Sequence, residues 1–289
     1  MMRRQALLNL LMLLLVGALT ALVLWGPEPE APVATPLLTD LQADRVRRIE
    51  ITFAERSPVV LLRDGERWFI DNAQRWPADA ERVQRILALT DAVSHARYPV
   101  AELDTAEVGL APPRITLRLG DAVFEFGGQE PLNRYRYLRH GDAVHLVTDT
   151  VIHQLSDRPE DLVSHRLLPD DAKVVGLTLP GLSLQQGDGG AWRSIPTQPG
   201  RSQDSFNRFI EGWRYARALH VTPASGDRGE SGDEVIVELG EPAQTVRFAL
   251  INNDDDLVLE RRDLGLRYNL AAGARERLLK LPAGGEPTQ

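Results

Sequence analysis

The chain opens with apolar residues that are continuous rather than periodic. Ala6 to Trp25 reads ALLNLLMLLLVGALTALVLW, with one polar amide and no charge. About 20 such residues, each rising about 1.5 Å as helix, cover a hydrocarbon core of roughly 30 Å, so the run predicts a single membrane crossing. Arg3 and Arg4 precede it and Glu28 and Glu30 follow it, an arginine bias that places the N-terminus in the cytoplasm and the C-terminal bulk in the periplasm. A cleaved signal peptide ending near Leu19-Thr20-Ala21 is the competing reading. The length of the run and the bulk of Leu19 favour an uncleaved anchor over residues 1–25, and both readings export the rest. Residues 26–40 then form a Pro-rich linker, whose GPEPEAPVATP stretch favours an extended, unpaired backbone.

Beyond the linker the pattern alternates with the period of a strand, switches to the period of a helix, and does so twice. In residues 41–170, strands are predicted at Ile49–Phe53 and Val59–Arg63, with a type I′ turn at Asp64-Gly65 before Arg67–Ile70. A helix starts near Pro77 and Asp79 with Val83, Ile86, Leu87 and Val93 on its apolar face, and strands follow at Ile115–Gly120, Val123–Phe126, Tyr135–Arg139 and Val144–Thr148. In residues 171–289, strands at Val174–Leu179, Leu182–Gln186 and Trp192–Ile195 precede a helix capped by Ser202, with Phe206, Phe209, Ile210, Trp213 and Ala216 on its face. Strands at Val235–Gly240, Thr245–Leu250, Leu257–Arg261 and Tyr268–Leu270 complete it, and each unit ends in a helical segment, 150–155 and 271–279. Trp68 and Trp192 fall in the same slot. The expected fold is therefore α+β: an N-terminal transmembrane helix, then two tandem, duplicated units of antiparallel strands with one main helix each.

Composition narrows the function classes. Thirty-three Lys and Arg face 41 Asp and Glu, a net charge of −8 spread nearly evenly over both units, which leaves no field for nucleic acid. With no Cys there is no disulfide framework and no thiolate chemistry. Lys173 and Lys280 are the only lysines and neither follows a glycine loop, so no phosphate cradle is expected. No Gly-x-Ser-x-Gly elbow occurs. His140, His145 and His153, with Asp142 and Asp149, lie close in sequence but not at a metal-binding spacing, and the Asn252–Asp256 cluster lacks the glycine and glutamate of a calcium loop. Neither a cofactor nor a metal is expected, and no catalytic residue is assigned.

The most suggestive side chains are Arg134, Tyr135, Arg136, Tyr137 and Arg139. Alternation along a strand puts Arg134 and Arg136 on one face and Tyr135, Tyr137 and Arg139 on the other, a ligand or partner surface in which guanidinium forks would recognise carboxylate, phosphate or glycan groups. A half-buried strand balanced by Glu125 and Glu130 accounts for the same residues without a ligand.

The sequence resembles the bacterial domain-of-unknown-function family 4340. The likeness rests on Asp44-x-Val46-x-x-Ile49, Arg63-Asp64-Gly65-x-x-Trp68-x-Ile70, Pro77-Ala78-Asp79, Val108-Gly109-Leu110-Ala111-Pro112, and Tyr135-Arg136-Tyr137-Leu138-Arg139 followed by Val144-His145-Leu146-Val147. These are packing and turn devices, strongest over about residues 40–170. Proteins similar to this family are single-span envelope proteins, some accompanying ABC transporters of the gliding-motility type. The resemblance thus implies a non-enzymatic accessory or scaffold protein, anchored in the inner membrane and working within an envelope protein complex. A periplasmic module for a small anionic ligand or glycan is the alternative, and a hydrolase with an unfamiliar site a second one.

Overall fold

The computed structural model describes residue 12 and residues 37–224, 233–241, 243–252 and 256–282. Apart from Met12, the anchor expected at 6–25 lies outside the described residues, as does the linker as far as residue 36. Among the described residues no helix is long and apolar enough to cross a membrane.

Two eight-stranded antiparallel sheets dominate. The first is built from β1 (Arg48–Phe53), β2 (Val59–Asp64), β3 (Arg67–Ile70), β4 (Ala96–Pro99), β5 (Ile115–Leu119), β6 (Ala122–Gln129), β7 (Arg136–His140) and β8 (Ala143–Val147), with helix α1 (Ala80–Leu87) between β3 and β4. The second is built from β9 (Val174–Leu179), β10 (Leu182–Gln186), β11 (Trp192–Ile195), β12 (His220–Pro223), β13 (Glu234–Leu239), β14 (Gln244–Asn252), β15 (Leu257–Arg261) and β16 (Leu266–Asn269). Helix α2 (Gln203–Arg214) lies between β11 and β12, and α3 (Ala274–Leu279) follows β16. The spatial orders are β3-β2-β1-β5-β6-β7-β8-β4 and β11-β10-β9-β13-β14-β15-β16-β12, the same arrangement when each unit is counted from its own first strand.

Local sequence explains the elements that carry the core. Ile49 and Ile51 alternate into the core from β1 and pair with Leu119 and Leu117 of β5, so slipping the register by one would expose both. Asp79 caps α1 by accepting from the Arg82 amide, and Ser202 caps α2 by accepting from the Ser205 amide. Their buried faces are Val83, Ile86 and Leu87 in one, Phe206, Phe209, Ile210 and Trp213 in the other. Burying a side chain of this size fully contributes about 1.5–3 kcal/mol.

Several expectations need correction. Val93 is not on the α1 face: the helix ends at Leu87, a 3-10 turn covers Ala88–Asp91, and Val93 bridges to Leu37. Ala216 lies past the end of α2, and the segment expected to be helical at 150–155 holds only a 3-10 turn at Ile152–Gln154. The turn joining β2 and β3 has Gly65 and Glu66 at its centre, and only Gly65 has a positive φ, at 61°. A type I′ turn needs two such residues. The edge strands β4 and β12 were not anticipated: they are four residues each, too short for a clear alternation, and both end in a proline that withholds a donor from the open edge.

The connection between the sheets is itself a strand-like bridge. Asp79 donates its amide to Leu162 O (2.8 Å) and Ser164 to Pro77 O (2.8 Å), while Leu167 donates to Ala216 O (3.2 Å) and Ala218 to His165 O (2.8 Å). The connector thus pairs with the start of α1 at one end and the exit of α2 at the other. Trp76 Nε1 donates to Leu264 O at 2.6 Å, and Arg67 pairs with Asp171 at 2.5 Å. Buried residues of both sheets, with Leu162, Val163, Leu167 and Leu168 of the connector, form one hydrophobic cluster.

Candidate functional site

The five side chains singled out in the sequence are not laid out as a five-residue strand. Arg134 precedes β7, has a φ of 60° and is exposed. The strand therefore begins one residue later than expected and leaves Arg134 outside it, and its faces are Arg136, Leu138 and His140 on one side and Tyr137 and Arg139 on the other. The departure has a local cause: Glu130 accepts from the amides of Leu132 (3.0 Å) and Asn133 (2.7 Å), and its own backbone pairs with Arg134 and Tyr135. That clasp curls residues 130–135 into a compact loop. Leu132 stands 87% exposed at its tip.

The remaining four engage neighbours within the fold. Tyr135 stacks on His95, ring centroids 4.1 Å apart and 8° from parallel, and His95 Nε2 lies 3.0 Å from Thr148 Oγ1. Arg136 makes a fork to Asp149 Oδ2 through Nε (3.1 Å) and Nη2 (2.5 Å) and donates Nη1 to Gly127 O. Both side chains of this pair are largely buried, and Asp149 also accepts from Gln129. Asp149 Oδ1 is buried with no hydrogen-bond partner. Arg139 pairs with Glu125 at 3.4 Å. Burial, and after it the nearby Glu130, raises the Tyr137 phenol above its ordinary pKa. It stays protonated at neutral pH, a donor and not a base.

The histidines do not converge. His140 stacks on Phe124 at 4.6 Å and donates Nδ1–H to Val123 O, whereas His153 is exposed. His145 is buried with Nδ1 2.8 Å from Ser94 Oγ. Because the Ser94 hydroxyl donates to Ala96 O (3.1 Å), its single proton is committed and the imidazole Nδ1–H donates to Oγ. A general base would need the opposite polarity and a solvent-accessible oxygen. Burial, reinforced by Arg97, lowers the His145 pKa and keeps the ring neutral. Among the described residues no three His, Asp or Glu side chains gather to hold a metal. The Asn252–Asp256 cluster falls mostly outside the described residues.

Sequence reasoning also passed over Arg217 and Arg277. The bridge from the connector places Arg217 against Asp79 (3.6 Å) and Glu81 (3.0 Å) of the other unit, and α3 brings Arg277 beside the end of α2, around a cavity of about 280 Å³. Only the weak apolar pattern of residues 271–279 hinted at the second element.

No curated protein and no solved structure matches the chain. A family model does match, over residues 68–225, from Trp68 in β3 through both helices that follow a hairpin to the residue after Ala224. Since that span is more than half of the 289 residues, the chain belongs to the family described as Domain of unknown function (DUF4340).

Proposed function

We propose that the protein is a non-enzymatic accessory or scaffold protein of the bacterial cell envelope. It is held in the inner membrane by residues 6–25 and offers its two sheet units to a protein partner in the periplasm. The apolar, uncharged run with arginines before it supports the tether. The shared strand order supports a tandem duplication of one ancestral unit. The observation that carries the partner reading is the loop at 130–135, where Leu132 is 87% exposed although two amides around it are clasped by Glu130. A rigid loop holding an apolar side chain in solvent loses little conformational entropy on docking. Arg134 beside it supplies an exposed charge. An ABC-type transport component is the partner that family resemblance suggests.

Affinity capture from detergent-solubilised native membranes tests this. The wild-type protein should return a membrane-transport component, and Leu132→Ser should lose it with an unchanged Tm. Repeated recovery of the protein alone would end the proposal. Recognition of a small anion by the β7 arginines has less to rest on, because Arg136 and Arg139 are already ion-paired.

A further inference from the structure

Where α2 meets α3, Trp213 Nε1 donates to Leu278 O at 2.8 Å, and beside that contact lies the cavity of about 280 Å³. At roughly 30 Å³ per water it has the volume of about nine waters, or of a ligand of some ten heavy atoms. Leu270 and Leu278 give it apolar walls, and Tyr215, Arg217 and Arg277 line it with polar tips. Tyr215 is 56% exposed, and the Arg214 guanidinium sits over its ring at 5.3 Å.

Gly212 is the informative residue. It stands inside α2, where glycine is among the poorest helix formers, and it lines the cavity. A Cβ built on it would meet nothing within 4 Å, and its φ is not positive. Neither packing nor backbone conformation calls for glycine there. Gly212 is itself exposed, so the missing side chain leaves that wall of the cavity open to solvent and accessible to a ligand. The two cations differ as well. Arg217 is balanced by Asp79 and Glu81, whereas the Arg277 guanidinium has no ion-pair partner among the described residues.

We propose that this cavity binds a small amphiphilic carboxylate, with Arg277 taking the carboxylate and the apolar body lying over Gly212 against Leu270 and Leu278. Guanidinium and carboxylate match as planar forks, and a pocket mostly apolar with a few placed polar groups is the usual form of a small-molecule site. The assignment is independent of whether the loop at 130–135 docks a partner.

The test uses the full chain in lipid nanodiscs, with 3-phenylpropanoate as probe and 3-phenylpropanol as its uncharged analogue, read by calorimetry and ligand-detected NMR. The acid should bind at least about tenfold more tightly than the alcohol, as a charge-assisted hydrogen bond implies. Arg277→Gln should erase that preference. Gly212→Leu should fill the space, raise Tm and abolish binding, which separates loss of the site from loss of the fold. No binding of the acid by the wild type up to about 10 mM would overturn the proposal. So would undiminished binding by Gly212→Leu, or an acid preference that survives Arg277→Gln.

Discussion

In the first unit, the chain that follows β8 is drawn against α1 by two side chains of that helix, Arg82 and Arg85. Arg82 donates to Gln154 O at 2.7 Å and to Asp161 O at 2.5 Å, and Asp161 is held below its usual carboxylate pKa mainly by its hydrogen bond to Arg158. In the second unit, the corresponding chain after β16 becomes α3 and packs on a longer α2 through Trp213, leaving the gap over Gly212. Strand order is common to the two; the closure of the helical end is not. The order follows from apolar alternation, which both units carry. The two ends close differently: arginines of α1 hold the following chain in one unit, and an aromatic side chain of α2 supports α3 in the other.

The largest test of that contrast is Trp213→Ala. The side chain is fully buried, packs near Phe248 at 6.1 Å and supports α3 through its indole N–H. Its removal should cost about 3–5 kcal/mol in chemical denaturation and release α3, seen as loss of amide protection across residues 274–279. If α3 keeps its protection, the strut is not what orders it.

A second test sets one glycine against another. Gly127 in β6 has the Val108 carbonyl where its Cβ would stand, 2.5 Å away, and Leu110 at 3.0 Å. Gly128 N–H donates to the same carbonyl at 2.8 Å. Gly127→Ala should therefore push the 108–110 segment off the sheet at a cost of about 1–3 kcal/mol. Gly212→Ala, with nothing near its Cβ, should stabilise by about 0.5–1 kcal/mol. Equal signs in thermal unfolding would undo the distinction.

Much of the fold was legible because burial follows alternation directly. The hairpin of β2 and β3, both capped helices and the α2 face from Phe206 to Trp213 needed only period and capping residues. Most of what stayed hidden depends on partners far along the chain. Ala96–Pro99 and His220–Pro223 are strands because β8 and β16 offer them an open edge, and nothing in four residues announces a neighbour. Arg134 left the strand for a local reason, because the Glu130 carboxylate clasps nearby amides and curls the loop, a side-chain-to-backbone competition that alternation ignores. Arg136 looked free because its acid, Asp149, is thirteen positions on. Arg217 and Arg277 come together only through the connector and α3.

Buried titratable groups separate the two units by pH. His145 in the first sheet has a lowered pKa, so the unfolded chain binds its proton first as pH falls below about 6.5, and stability drops on the acid side. Tyr268 in the second sheet is pushed up to about 12 by burial. The unfolded phenol ionises near 10, so stability falls as pH rises from about 10 towards 12. Denaturation midpoints across pH should lose part of their acid limb in His145→Gln and part of their alkaline limb in Tyr268→Phe. Were each substitution to change the other limb instead, the assignment would fail.

The smallest effect concerns what holds the units together. Arg67 and Asp171 form a short ion pair between them, but their side chains are 42% and 62% exposed. The hydrogen bond from Arg67 lowers the Asp171 pKa. A lowered carboxylate contributes stability that is present above the unfolded value near 3.9 and is lost as pH falls through the folded one. Exposure and salt limit that contribution to below about 1 kcal/mol. Asp171→Asn should thus shift the unfolding midpoint only slightly at low salt and not at all near 1 M salt, where the Debye length is about 3 Å. A cost above about 2 kcal/mol, or separate unfolding of the two sheets in the variant, would mean that charge and not the shared apolar cluster joins them. The connector's Leu162, Val163, Leu167 and Leu168, all buried in that cluster, argue for the small value.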